Sequence, residues 1–200
     1  MRTLIWFLSL IPVAYAAIRF SVEFHPGWLK DILSFVEGYT GGALSRYPAD
    51  PIKFLTDLSG NSALWLLAAS LSISPLRAYL KINLLAYRRL VGMFAFTYAL
   101  IHLGLYIAFD RQFDFRSIPD EVISKPFIAF GMGAFLILLL MALTSTKKLF
   151  AKFKGWHKLV YLAVAFIAIH YLMSHKTIAP HHIVVVGTLL TILALRLMKR

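Results

Sequence analysis

Leu90–Phe109 reads LVGMFAFTYALIHLGLYIAF, and this stretch decides the architecture. It holds no Lys, Arg, Asp or Glu, and apolar side chains would surround the helix it forms. A helix needs roughly 20 mostly apolar residues to cross a bilayer. A helix lying in the interface would instead show one strongly charged face. The stretch therefore reads as a membrane span, and it carries a histidine, His102, within it.

Working outward, the same reading applies to Thr3–Phe20, Ser62–Leu80 (interrupted by Pro75), Phe127–Leu143, Trp156–Met173 and Ile183–Met198. The last two are short and call for some mismatch or snorkelling at their ends. Composition agrees: 60% of the 200 residues are apolar and 15% charged, with a mean hydropathy of +0.73. Soluble domains are about half apolar and about a quarter charged. Disorder is excluded by 16 Phe, 9 Tyr and 4 Trp. The absence of cysteine removes disulfides, thiolate catalysis, iron–sulfur clusters and covalent haem attachment. The expectation is an all-α integral membrane protein, a six-transmembrane-helix bundle in one domain over residues 1–200. The longest polar connection, Ser21–Asn61, shows turn residues at Gly41-Gly42 and Pro48–Pro51 and a surface helix at Trp28–Tyr39.

Charge sorts the connections by side. Those at the N-terminus, 77–89, 144–158 and the C-terminus carry only basic residues, from Arg2 through Arg88 and Arg89 to Arg200. All 9 acidic residues lie in the other connections. The positive-inside rule then places both termini of a multi-pass protein in the cytoplasm, and an even number of spans is the parity this requires. The net charge of +12 is thus a property of the inner face that favours anionic lipid or an acidic partner, and nucleic acid is not expected. Arg2, the apolar run and Ala14-Tyr15-Ala16 also have the form of a cleavable secretory signal, although cleavage would leave the remaining orientation unchanged.

Ionisable or polar groups inside spans are expensive and mark function. No carboxylate lies in a span, and no Walker, His-Glu-x-x-His or nucleophile-elbow motif is present. What remains is histidine. His102 stands about two turns before the outer end of its span and His170 about one turn before the end of a parallel one, so both belong at similar depth in the outer half. Two imidazoles facing each other across a bundle can hold one haem iron from both sides. Phe94, Phe96, Tyr98 and Phe166 are the aromatic residues expected around such a group. The alternative is two histidines each bonded to a neighbouring helix. His157 lies about 20 Å below His170 at 1.5 Å per residue, and is turned about 140° away from its face. By spacing alone, a second haem ligand and an interfacial residue beside Trp156 both remain open for it. His175, His181 and His182 share a short outer connection and are expected to be solvated. Arg111 and Lys176 are, by depth, the cations near the outer haem's propionates.

The ordered set Arg88-Arg89-Leu90-Val91-Gly92, Tyr98, His102-Leu103-x-x-Tyr106, Lys125-Pro126-Phe127, Leu143-Thr144-Ser145-Thr146, Trp156-His157-Lys158-Leu159-Val160-Tyr161-Leu162 and Ile169-His170-Tyr171 resembles the MsrQ (YedZ) family of haem-binding membrane subunits. Ser74-Pro75-Leu76-Arg77 and Ala49-Asp50-Pro51-Ile52-Lys53 fit the same family, and the resemblance runs from about the first span to the sixth. The connection around Ser34–Tyr47 is longer than expected for it. The resemblance implies a ferric-reductase-like fold with haem b, one group or two, with His102, His170 and His157 as the family's ligand histidines. It further implies FMN, electrons from the quinone pool or a cytosolic flavin reductase, and delivery to MsrP, a periplasmic molybdenum-dependent methionine-sulfoxide reductase. This chain would then carry electrons, with no catalytic residue of its own for the sulfoxide. The competing expectations are a stand-alone transmembrane ferric reductase or quinol-linked cytochrome b, and, in another class, a small transporter or assembly factor without haem.

Overall fold

Asp50 and Pro51 begin the longest helix. The Asp50 side chain accepts the Lys53 backbone N–H at 2.9 Å, and Pro51 occupies the first helical turn, where its missing N–H costs nothing. From there α2 (Pro51–Tyr79) runs 29 residues through Pro75. It absorbs the end of the connection expected to reach Asn61. In this computed structural model, which describes residues 1–20, 50–175 and 177–198, the regular structure is helical. The remaining α-helices are α1 (Arg2–Phe20), α3 (Arg88–Leu105), α4 (Ile118–Ser124), α5 (Pro126–Leu143), α6 (Lys147–Lys152), α7 (Val160–Met173) and α8 (Pro180–Met198). The surface helix expected at Trp28–Tyr39 and the Gly41-Gly42 turn lie outside the described residues.

Among the described residues, five helical stretches are long and apolar enough to cross a membrane: Arg2–Arg19, Leu85–Asp110, Pro126–Leu143, Gly155–Met173 and Pro180–Met198. The span expected at Ser62–Leu80 lies in α2, which is not one of them. Its serines and Asn61 lower its hydropathy, and packing explains why it carries them. α2 lies most extensively against α3 and also contacts α8 and α1. Ser59, Ser62 and Ser70 on it are buried beside Leu64, Leu67, Ala68 and Leu71. Ser62 and Ser72 are satisfied within the helix, donating to the Leu58 carbonyl at 2.6 Å and to that of Ala68 at 2.8 Å, and Ser70 donates across to the Arg88 carbonyl at 3.2 Å. A helix enclosed by protein on several sides does not need an apolar surface all round.

The core joins Leu64, Leu67, Ala68 and Leu71 of α2 to Ala95 of α3, Leu138 of α5, Val160 and Val164 of α7 and Leu189 of α8. Much of the outer surface is apolar, with Phe7 and Ile11 on α1, Leu136 on α5 and Ile183 and Val184 on α8 all exposed. A soluble monomer rarely shows contiguous apolar surface on this scale, whereas lipid tails cover it at no cost. α1 is tied in by the Tyr98 hydroxyl, which donates to the Ser9 carbonyl at 2.6 Å, and by Trp6 edge-on to Phe94. It runs unbroken through Ala14-Tyr15-Ala16.

Two departures from regular α-geometry fall at the ends of the histidine-bearing helices. α3 continues as a π-helical turn over Tyr106–Asp110, followed by Gln112 and Phe113 at φ of 50° and 62°. The span expected from Trp156 starts as a 3-10 turn, Lys154–Leu159, which carries His157 and gives way to α7 at Val160.

Candidate functional site

His102 projects from the last turn of α3 and His170 from the last turn of α7. Their ring centres lie 6.2 Å apart with the planes at 83°. Each Nδ1 meets a backbone carbonyl on a neighbouring helix: His102 reaches Thr56 of α2 at 2.9 Å, and His170 reaches Phe127 of α5 at 2.7 Å. A carbonyl only accepts, so Nδ1 must be the protonated nitrogen in both rings, and each Nε2 keeps its lone pair. That tautomer is the one a metal-ligating imidazole requires, and a hydrogen bond from the distal nitrogen fixes its orientation and raises its basicity. Two metal–nitrogen bonds of about 2 Å each, with the ring radii added, span about 6 Å. The observed separation fits one metal ion held between the two rings.

Two glycines make room for them. A Cβ on Gly60 would lie 3.0 Å from the His102 Cε1 and Nδ1, and one on Gly131 would lie 2.8 Å from the His170 Nδ1. Both rings open onto a cavity of about 320 Å³ between α2, α3, α5 and α7. This falls within the range of cofactor sites, roughly 300–1,000 Å³. Its walls are largely apolar, with Leu64, Leu67, Ala134, Phe135, Leu138 and Ile167 contributing, and Lys53, Asp57, Asp110 and His175 supply polar groups.

The aromatic lining differs from expectation. Phe94, Phe96, Tyr98 and Phe166 do not line the cavity, because their rings are committed elsewhere. Phe94 meets Trp6, Tyr98 bonds Ser9, Phe166 packs on Phe130, and Phe96 stacks behind Phe135. Phe127, Phe135, Tyr106 and Tyr171 line it instead. Arg111 is held by Glu121 at 2.7 Å and is not part of the lining, whereas Lys53 is, paired with Asp57 at 2.6 Å. Lys176 lies outside the described residues. His157 is also away from the cavity: its Nε2 lies 3.5 Å from the Thr144 hydroxyl and its ring 4.6 Å from that of Phe150. The outer histidines are not all solvated. His182 is buried, with its Nδ1 accepting the Ala179 N–H at 3.0 Å and its ring 3.9 Å from both His175 and His181.

Sequence reasoning missed Gly60, Gly131 and the two carbonyl acceptors. Gly131 left a signal, since glycine inside a span has no helix-propensity reason to be there and implies close approach of a neighbour, whereas Gly60 fell in the expected connection and left none. The carbonyls left none, because every residue has one.

A membrane bundle that brings two lone-pair imidazoles together across an apolar cavity defines a class of redox-type membrane components. Residues 59–169 match the family described as ferric reductase like transmembrane component, a stretch holding Gly60, His102, Gly131 and His157 and ending one residue before His170. Over 177 residues the chain is 34% identical to the protein-methionine-sulfoxide reductase heme-binding subunit MsrQ of Brucella ovis, covering 86% of this chain and 79% of that protein. The same figures hold for the MsrQ proteins of Brucella canis and Brucella suis. The chain belongs to the ferric-reductase-like transmembrane family and, within it, to the MsrQ group. No solved structure matches it.

Proposed function

We propose that this chain is the haem-binding membrane subunit of a methionine-sulfoxide reductase system, a transmembrane b-type cytochrome in which His102 and His170 would hold one haem iron. The observation that carries the reading is the pair of imidazoles facing one cavity at 6.2 Å, each with Nδ1 committed to a carbonyl and Nε2 available. A bound haem supplies the one-electron redox change; the chain supplies ligation, burial and orientation. Thr56 and Phe127 hold the Nδ1 protons, Gly60 and Gly131 let the rings stand upright, and the apolar walls exclude water.

In this reading α2 is the sixth span, both termini are cytoplasmic, and the histidine pair lies toward the periplasm of a bacterial inner membrane. Electrons come from the quinone pool or from a cytosolic flavin reductase with FMN. They enter on the side of His157, which we assign to entry rather than to the His102–His170 haem because it contacts Thr144 and Phe150 away from the cavity. They leave to the periplasmic molybdenum-dependent reductase MsrP, where methionine sulfoxide is reduced.

Oxidised and dithionite-reduced visible spectra of the detergent-purified protein, with haem quantified per chain, test the proposal. One six-coordinate b-type haem is expected, lost in His102→Ala and His170→Ala and kept in His157→Ala, with all three variants still inserted in the membrane. Full haem content in His102→Ala, or a colourless folded wild type, would sink it. Two haems per chain would return His157 to the ligands. Haem reoxidation that is as fast without the periplasmic partner would favour a stand-alone reductase.

A further inference from the structure

The opposite end of the bundle holds a second polar cluster that the histidine pair does not use. Arg196, in the last turn of α8, lies with its guanidinium 5.3 Å over the Tyr161 ring of α7. Its Nη1 is shielded from solvent and has no hydrogen-bond partner. Arg88, the first residue of α3, stands within electrostatic reach of Arg196, Tyr161 and His157. The start of α3 is fixed there by Ser70, whose hydroxyl donates to the Arg88 carbonyl at 3.2 Å. Among the described residues neither arginine makes a salt bridge, since the ion pairs are those of Lys53, Arg111 and Lys125. The connections at this end carry no carboxylate in the sequence.

Two guanidinium groups within electrostatic reach of each other, one with a buried and unpaired N–H, are costly unless an anion joins them. Positive-inside bias explains why basic residues are present at this end, but it does not call for a guanidinium laid over a tyrosine ring with one N–H buried and unpaired. We propose that Arg88 and Arg196, over the Tyr161 ring, form a binding site for a phosphate group at the basic face of the bundle. Arginine suits this role, because its planar fork takes two phosphate oxygens at once and still stacks on an aromatic ring. The phosphate is presented either by an anionic phospholipid headgroup of the adjoining leaflet or by a soluble phosphate-bearing molecule. The chemistry at the two arginines is the same in both cases.

The test uses the full-length protein in nanodiscs of phosphatidylcholine containing a minor fraction of phosphatidylglycerol, with retained lipid counted by native mass spectrometry and inorganic phosphate titrated by thermal shift. Wild type should retain phosphatidylglycerol over phosphatidylcholine or be stabilised by phosphate. Arg88→Gln and Arg196→Gln should each weaken that binding on the order of tenfold or more, the loss expected for a charge-assisted hydrogen bond. Arg77→Gln removes an exposed charge of the same face and should change it little. Arg196→Lys keeps the charge without the fork, and should fall between wild type and Arg196→Gln. Retained lipid that phosphate does not displace identifies the headgroup as the source, and stabilisation by phosphate in pure phosphatidylcholine identifies a soluble ligand. Equal binding in Arg77→Gln, Arg88→Gln and Arg196→Gln, or none in wild type, overturns the site. Haem content measured in the same preparations should be unchanged, which separates this result from the fate of the histidine assignment.

Discussion

At position 131 the side chain must be a single hydrogen. A methyl group there would stand 2.8 Å from the Nδ1 of His170, closer than van der Waals contact permits, and that nitrogen is fixed by its bond to the Phe127 carbonyl. The ring cannot swing away without losing the bond that sets its tautomer. Overpacking of this kind costs about 1–3 kcal/mol, and here the strain falls on the ligand itself. Gly131→Ala should therefore lower haem per chain and shift the reduced spectrum while the protein still inserts. Gly104→Ala, on the span that carries His102 but with nothing within 4 Å of its added methyl, should leave both unchanged. Equal haem content in the two variants would remove the steric argument. His102 and His170 could be read from the sequence because a polar ring in a span is an anomaly on its own. Their acceptors could not, because which carbonyl faces a ring depends on how α2 meets α3 and how α5 meets α7, and spacing within one helix does not encode that.

Elements at the cavity mouth are held by one carboxylate. Glu121 of α4 accepts from Lys125 at 2.6 Å, from the Tyr106 hydroxyl at 2.6 Å and from Arg111 at 2.7 Å, tying α4 to the π-helical turn that ends α3. The Lys125 hydrogen bond, then that of Tyr106, hold the Glu121 carboxyl below the usual carboxylate range. A lowered native value means that the folded protein binds this proton less readily than the unfolded chain does. The stabilisation is complete above the ordinary carboxylate value of about 4.3 and fades as pH falls through the lower native one. The thermal midpoint of Glu121→Gln should thus lie below that of wild type at neutral pH, and the gap should close on acidification. The other groups facing Glu121 are Lys125, Arg111 and Tyr106. A gap that stays constant down to acid pH would show that Glu121 acts by packing alone. Sequence located the span Leu90–Phe109 well, because an uninterrupted apolar run is a strong local signal. It placed the start of α2 too late, because Thr56, Ser59 and Asn61 look like a connection until their helix is seen enclosed by its neighbours, with the hydroxyls of Thr56 and Ser59 bonded back to its own carbonyls.

Across the whole molecule, charge and cavity divide along one axis. Asp57 and Asp110 line the cavity that holds the histidine pair, and Glu121 closes its rim through Tyr106. Arg88, Arg196 and His157 gather at the other ends of α3, α8 and the turn before α7. Transfer of basic connections across an energised membrane is disfavoured, so the arginine end should face the cytoplasm and the histidine pair the periplasm. A chain with no cysteine makes this testable without background. Lys152→Cys places a thiol at an exposed position in α6, and Asp120→Cys places one at an exposed position in α4. A membrane-impermeant maleimide applied to intact spheroplasts should label Asp120→Cys and spare Lys152→Cys, and both should react once the membrane is opened. The reverse pattern would put the histidine-lined cavity on the cytoplasmic side, where a haem proposed there could not hand electrons to a periplasmic reductase. Labelling of both thiols in sealed spheroplasts would put them on the same side, with an even number of spans between them, so that α5 would not cross the membrane. The expected pattern requires α5 to cross between the two thiols. Together with the charge bias of the connections, it would put the basic face in the cytoplasm and the His102–His170 pair toward the periplasm.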